Sequence, residues 1–204
     1  MFELTSSFVL PILTFAIATA FSPGPNNIML LSSGLNFGYK RTLALISGIM
    51  LGFSFMVIAV GLGIGELFEI FPWFYTLLKV IGVLYLLWMA VQIAQTKGTL
   101  STTKSEQKPF TFLQAILFQW VNPKAWIMTV TSTSSFINNE NSIPLQVLFI
   151  AFVYFIIGLF STHSWALGGV FLQRIIQDEK RLHLFNMFMA LLIILSLIPL
   201  LVEV

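Results

Sequence analysis

Seven residues near the start of the chain, Phe21-Ser22-Pro23-Gly24-Pro25-Asn26-Asn27, interrupt an apolar run otherwise long enough to cross a bilayer. Two prolines and a glycine this close together cannot continue a regular helix. Each proline removes a backbone N–H and clashes with the preceding turn, and glycine adds backbone freedom. Two amides follow where hydrocarbon favours apolar side chains. Lipid cannot satisfy the backbone groups freed by such a break, so the break must be buried in protein or line a wet cavity. A second interruption, Val121-Asn122-Pro123-Lys124, lies about one hundred residues further on.

The surrounding composition fixes the solvent. Of 204 residues, 57% are hydrophobic and 9% charged. A soluble domain of this size could not cover its surface with so few polar groups. Several runs of about twenty apolar residues mark an all-α polytopic membrane protein. The absence of cysteine excludes disulfides, thiol catalysis and thiolate metal sites. A net charge of +2 makes no case for nucleic acid. The first apolar segment is preceded by Glu3 and by no Lys or Arg. Without a basic n-region it reads as a retained span, not a cleaved signal peptide.

Hydropathy predicts six spans, at roughly 5–36 (interrupted at the Pro-Gly-Pro), 42–65, 75–95, 112–136, 145–168 and 183–202. The connections alternate in charge. Lys40 and Arg41, then Lys97, Lys104 and Lys108, then Arg174, Lys180 and Arg181 fall on one side; Glu3, Glu66, Glu69, Glu140 and Glu203 fall on the other. By the positive-inside rule the segments 37–41, 96–111 and 169–182 are cytoplasmic and both termini are outside. Lys79, in the first turns of the third span, reads as a lysine that snorkels to the outer interface behind an aromatic belt of Phe71, Trp73, Phe74 and Tyr75. Residues 170–182 fit either a short amphipathic interfacial helix or a solvated loop.

Residues 1–95 and 112–204 are two three-span halves of one transmembrane domain, joined by the polar linker 96–111. An odd number of spans makes the second half run opposite to the first, so the expected fold is two inverted three-helix repeats, with the first and fourth helices broken at their Pro motifs. Setting Pro25 over Pro123 puts each break before an apolar segment and then a hydroxyl cluster: Ser32-Ser33 in one half, Thr129 and Thr131-Ser132-Thr133 in the other. Pro-interrupted helices at matching positions of inverted halves point to the binding site of a secondary transporter. Each break is about ten residues from a span end, which at ~1.5 Å per residue is ~15 Å, half of a ~30 Å hydrocarbon core.

The chemistry of each break is readable too. Asn122 is a good N-cap and Pro123 fits the first helical position; Gly24 and Pro25 can start the second half of span one likewise. Two half-helix N-termini, each with unpaired N–H groups and a partial positive charge, would then face the centre and suit a carboxylate. Lys124 adds a full positive charge where the helix dipole disfavours it. A mid-membrane lysine costs at least ~2.5 kcal/mol, so something must compensate it; the plainer alternative is a snorkelling lysine in a tilted helix. No Asp or Glu lies well inside a predicted span. Histidine is the side chain whose ordinary charge change falls near neutral pH, and a desolvated lysine can exchange its proton. His163 and Lys124 are therefore the candidates for proton coupling, although a lone membrane histidine more often joins helices by a hydrogen bond.

Ser-Pro-Gly-Pro-Asn-Asn at 22–27, Gly38-x-x-Arg41, Gly48-x-x-x-Gly52 and Asn122-Pro123-Lys124 together resemble the LysE/RhtB family of amino-acid exporters. The resemblance covers nearly the whole chain. The run Ser-Pro-Gly-Pro-Asn-Asn-Ile-x-x-Leu-Ser-Ser, with Trp165-Ala166-Leu167-x-Gly169 and Phe171-x-Gln173-Arg174, is most similar to the cysteine/O-acetylserine exporter branch. The resemblance implies export of an amino acid across a bacterial cytoplasmic (inner) membrane by proton antiport. It places Pro23, Gly24, Pro25, Asn26, Asn27, Asn122, Pro123 and Lys124 in the shared motifs. Ser22, where many members carry Thr, joins them as a substrate-binding candidate. Gly38 and Arg41 are motif positions, and Gly48 and Gly52, four apart, also read as a close helix contact.

The expected function is therefore secondary export of a small neutral amino acid or derivative such as cysteine, O-acetylserine, homoserine or threonine. Its partners are that substrate, protons and the lipid bilayer, without nucleic acid, metal or cofactor; a homo-oligomer is left open. The scarcity of buried carboxylates argues against a dibasic substrate. An exporter of another small solute or cation, or an ion channel, is the alternative. A channel needs a filter or a ring of like residues, and an intramembrane enzyme needs a nucleophile–base pair or metal ligands; neither pattern is visible, so the chain is not read as an enzyme.

Overall fold

A computed structural model describes residues 6–64, 70–96, 108–138 and 141–198, without the side chains of 72, 74 and 75. Glu3, Glu66, Glu69, Glu140 and Glu203, the linker residues 97–107 with Lys97 and Lys104, and the Phe74 and Tyr75 side chains of the expected belt lie outside the described residues. Every regular element among the described residues is helical: α1 (Ser6–Phe21), α2 (Pro25–Phe37), α3 (Tyr39–Gly61), α4 (Pro72–Gln95), α5 (Phe112–Gln119), α6 (Pro123–Phe136), α7 (Ile143–Ile175) and α8 (Glu179–Leu195).

The first apolar run breaks where its Pro-Gly-Pro falls. α1 and α2 meet at 51°, and as a bent pair they are apolar and long enough to cross a membrane; α3, α4 over Thr76–Gln95, and α7 are so individually. α5 has 8 residues and α6 has 14. At ~1.5 Å rise neither covers a ~30 Å core alone. Large apolar side chains such as Leu51, Phe55, Leu84, Phe152, Phe160 and Leu184 stand on the outside, as a lipid-facing surface requires.

Two expected loops are helix. Of the segment 37–41 only Gly38 is outside a helix. Its φ of 78° is open to glycine, and its N–H still bonds the Gly34 carbonyl at 3.0 Å, so one residue turns α2 into α3. Of the segment 169–182, only 176–178 is non-helical. Neither the solvated loop nor a separate interfacial helix forms. No breaker follows Gly169, and α7 runs on to Ile175 with Arg174 in its last turn, where a cation suits the dipole. Its 33 residues make a rod of ~50 Å, well beyond the hydrocarbon core. Asp178 then accepts from the Lys180 N–H at 2.9 Å and starts α8 four residues before the expected span.

The core is in two parts. One gathers Ile28, Met29 and Leu30 of α2, Leu45, Ile46, Ile49 and Met50 of α3, Leu86, Met89, Ala90 and Ile93 of α4, Ala115 and Phe118 of α5, and Met189, Ala190 and Ile193 of α8. The other gathers Ile12 and Ala16 of α1, Phe53, Met56, Val57 and Val60 of α3, Ala125 and Met128 of α6, and Ile150, Ala151, Val153 and Tyr154 of α7. Both breaks fall between them.

Small residues permit the closest crossings. A methyl on Gly48 would lie 2.5 Å from the Phe112 carbonyl oxygen, and one on Gly52 2.8 Å from the Ile116 Cα, so α3 and α5 touch backbone to backbone. α2 and α7 do the same: a methyl on Gly34 would strike the Ala166 carbonyl, and one on Gly169 the Leu31 carbonyl.

Candidate functional site

An interrupted helix leaves carbonyls at the end of its first half and N–H groups at the start of its second. At the end of α1 local donors from Ser22 and Asn27 are joined by two from far along the chain, Ser161 and Lys124. The Ser22 N–H bonds the Ala18 carbonyl at 3.2 Å, and the Ser22 hydroxyl donates to the Thr19 carbonyl at 2.9 Å. The Ala20 carbonyl accepts from Asn27 Nδ2 at 3.0 Å and from the Ser161 hydroxyl of α7 at 2.7 Å. The Ser22 carbonyl accepts from Asn27 Nδ2 at 2.7 Å and from Lys124 Nζ of α6 at 2.5 Å. Lys124 also donates to Ser22 Oγ at 2.8 Å and to the Pro23 carbonyl at 3.3 Å.

These contacts answer the cost of the lysine. Its ammonium sits on the negative end of α1, although its own backbone belongs to the positive end of α6. Three oxygens replace the water it has lost.

The two half-helix starts differ. Asn122 caps α6, its side chain accepting from the Lys124 N–H at 3.1 Å. α2 starts at an extended Gly24 with no capping side chain, so its first N–H groups, at Asn26 and Asn27, stay free of side-chain partners. Gly24 is where the breaks touch: a methyl there would lie 2.6 Å from Lys124 Cδ.

A cavity opens beside this junction, lined by Gly24, Asn26, Asn27, Asn122 and Lys124 from the two breaks. Ile49, Met50 and Phe53 of α3 and Tyr154, Gly158, Ser161 and Thr162 of α7 close it. It offers about 60 Å³ to the centres of water molecules. A space of that size holds more than a single water, which suits a small polar solute. Tyr154 is held by a 2.7 Å bond between its hydroxyl and that of Ser132, and by edge contact with Phe53. Gly158 leaves open space: nothing lies within 4 Å of where its Cβ would be. Among the described residues no three His, Asp or Glu side chains come together to hold a metal.

Asn26 is engaged differently from Asn27. Its Nδ2 donates to Gln119 Oε1 at 2.8 Å, and Gln119 Nε2 donates back to Asn26 Oδ1 at 3.1 Å. The last residue of α5 thus pairs with the second of α2.

The chain matches the model of the LysE type translocator family over residues 17–203. It belongs to that family. A cysteine/O-acetylserine efflux protein of Escherichia coli (strain K12) is 32% identical over 185 residues, 89% of this chain and 91% of that one. The protein of the same description from Shigella flexneri serotype 5b has the same identity and coverage. One from Klebsiella pneumoniae subsp. pneumoniae is 31% identical over 172 residues, 84% of this chain and 87% of that one. No solved structure matches.

In this LysE-type translocator, a multi-pass membrane protein, the structure draws Ser22 through Asn27 and Asn122 through Lys124 into one junction. Ser22 and Pro23 act through their oxygens; Pro25 and Pro123 sit at first helical positions and are not cavity walls. His163 is elsewhere. Its Nδ1 lies 2.8 Å from the Leu159 carbonyl and its ring 5.9 Å from that of Tyr39, away from the cavity lining. Arg41 is exposed, while Gly38 shapes the α2–α3 turn. Sequence reasoning passed over Gln119, Tyr154, Gly158, Ser161 and Thr162. For α7 a signal existed: 154, 158, 161 and 162 fall on one helical face, and 163 falls off it.

Proposed function

We propose that this protein is a secondary exporter of a small neutral amino acid or derivative, in the range of cysteine, O-acetylserine, homoserine and threonine, driven by proton antiport across a bacterial inner membrane. The observation that carries this reading is the junction itself: a lysine and an uncapped helix start on one side of a small cavity, helix-end carbonyls and hydroxyls on the other. A carboxylate can take Lys124 and the free N–H groups of α2; an ammonium can take the α1 carbonyls that Lys124 then leaves. The names of the relatives, and a cavity lining that holds no carboxylate among the described residues to pair with a second cation, favour a neutral zwitterion.

Six spans in two inverted three-helix repeats complete the reading, with α1–α2 matching α5–α6, α3 matching α7 and α4 matching α8. The packing supports this. Exchanging the halves sends the α3–α5 contact to α7–α1 and the α2–α7 contact to α6–α3, all of which occur, while α3–α7 and α4–α8 map onto themselves. The basic residues Lys40, Arg41, Lys108, Arg174, Lys180 and Arg181 flank one end of the bundle, which the positive-inside rule makes cytoplasmic. Both termini are then outside. Alternating access follows from rocking one half against the other about the breaks. Protons couple through Lys124, which binds the carboxylate when charged and returns to the α1 carbonyls between cycles.

The test is uptake into inside-out vesicles containing the purified protein, acid inside, with a panel of labelled amino acids. Accumulation of a small neutral amino acid or O-acetylserine, lost when the gradient is collapsed, is expected. Accumulation of lysine or arginine contradicts the charge argument. Gradient-independent, non-saturating flux of ions supports a channel instead.

A further inference from the structure

A second cavity lies nearer the basic end of the molecule and is larger, about 260 Å³ on the same measure. α2, α4 and α5 wall it. Its polar lining comes from Ser32 and Ser33 of α2, Gln92 and Thr96 at the end of α4, and Thr111 and Gln114 at the start of α5, with Lys108 at the rim. Most of these groups are occupied. Ser33 pairs with Thr42 at 2.9 Å, Ser32 with Asn36 at 3.2 Å, and Thr111 with Gln114 in a capping box. The half-buried Gln92 carboxamide and the exposed Lys108 ammonium remain to meet a solute.

Both cavities border α2. On α2, Asn26 faces the central cavity, whereas Met29, Ser33 and Phe37 face the second. These positions repeat at helical spacing, so one face of α2 runs from one cavity to the other. On α5, Thr111 and Gln114 line the second cavity, and Gln119 closes on Asn26. The reciprocal amide pair, with Gln119 fully buried, thus ties a wall of the central cavity to the end of the helix whose start walls the second.

The chemistry of that pair suits a barrier with one kind of key. Each carboxamide offers a donor and an acceptor, and face to face they satisfy each other. Separating them costs both bonds, although Gln119 Nε2 keeps the Ala115 carbonyl at 2.9 Å and Asn26 faces the central cavity. A proton or a simple ion offers only one kind of partner and cannot replace both halves. A zwitterion offers both, as water does, and adds charge: its carboxylate accepts from Nδ2 and Nε2, and its ammonium donates to Oδ1 and Oε1, in bonds roughly twice as strong as neutral ones.

We propose that the second cavity is a staging site for the transported zwitterion, with Gln92 and Lys108 as its ligands, and that the Asn26–Gln119 pair is the barrier between it and the central site. The class of ligand rests on the exporter reading above; the barrier does not.

The chain has no cysteine, so single-cysteine labelling is clean. Phe37→Cys, at a lining position that is not a proposed ligand, reports the second cavity and Gly158→Cys the central one; Lys108→Cys marks the face of the membrane from which each is approached. With a charged, membrane-impermeant thiol reagent on that face, Phe37→Cys is expected to react and to be slowed by thiol-free small neutral amino acids, and to lose that protection when Gln92→Leu is added. Gly158→Cys is expected to react at least about tenfold more slowly, and to gain at least about tenfold when Gln119→Leu or Asn26→Ala is added, the scale of two lost hydrogen bonds. Two variants are used so that one that fails to fold, judged by gel filtration, leaves the other. A Gly158→Cys rate equal to that of Phe37→Cys with the pair intact overturns the barrier. An inert Phe37→Cys, or one that no amino acid protects although vesicles transport that amino acid, overturns the staging site. If vesicles transport no amino acid, the exporter reading fails, while the order of reactivities and its dependence on Gln119 still decide the barrier.

Discussion

The two breaks look alike in sequence and are built in opposite ways. At the second, α5 ends in a tightened turn whose carbonyls bond locally: Trp120, Val121 and Asn122 N–H groups reach Leu117, Phe118 and Gln119. Asn122 then caps α6, and the Trp126 indole bonds the Trp120 carbonyl at 2.8 Å. That break is satisfied by its own neighbours. At the first, the carbonyls of Ala20, Ser22 and Pro23 take donors from Asn27, Ser161 and Lys124, and nothing caps α2. Asn27 is local, as Trp126 is at the second break, but Ser161 and Lys124 are remote; a break held partly by remote donors changes when those donors leave, and a break held by its own neighbours does not. The first break is thus the responsive element and the second the fixed platform that carries its lysine.

The largest effect should come from Lys124→Met, which keeps the volume and removes the charge. The Ser22 and Pro23 oxygens lose their donor and the carboxylate its partner. Hydrogen bonds to a charged group are each worth about 1.5–3 kcal/mol, so transport should fall by roughly 100-fold; a fall of only twofold would make Lys124 a bystander. Lys124→Arg restores charge but cannot deprotonate. It should abolish proton-driven accumulation, and near-normal coupled transport in that variant would remove Lys124 from the coupling step.

Next comes Asn27→Leu. It removes one of the two donors from each of two carbonyls of the responsive break, leaving Ser161 on Ala20 and Lys124 on Ser22, and each lost hydrogen bond is worth about 0.5–1.5 kcal/mol. A clear drop in melting temperature is expected, larger than that of Asn122→Ala, which loses one cap worth ~1 kcal/mol. The reverse order would overturn the contrast between the breaks. The smallest effect is expected of Gly24→Ala. Its methyl meets only the flexible Lys124 chain, at 2.6 Å, and that chain can move. Substrate affinity should weaken with folding intact; a variant that does not fold would mean the junction has no slack.

Much of this was legible before any coordinates. Proline and glycine act on the chain locally, so Pro23-Gly24-Pro25 and Asn122-Pro123 revealed both interruptions, and Asn122 its cap. The partner of Lys124 was not legible. It is a backbone carbonyl, which every residue carries, and only the fold selects Ser22 and Pro23. The Asn26–Gln119 pair joins residues 93 positions apart, and neither amide announces the other. The α7 side of the cavity was missed for another reason: His163 drew attention as a titratable group, while the face that turns inward carries Tyr154, Gly158 and Ser161. Gly34 and Gly169 escaped as packing positions because they lie on different helices, each against the backbone of the other helix, whereas Gly48 and Gly52 share one. The extra turns of α7 reflect packing and the lack of a breaker, which a hydropathy window does not register.

The most direct test of the junction as a carboxylate site is the thermal stability of the purified protein with pairs of ligands that differ only at the carboxyl group. A small neutral amino acid should raise the melting temperature, its carboxamide should not, and Lys124→Met should abolish the rise. Equal stabilisation by acid and amide, or an undiminished rise in Lys124→Met, would contradict it.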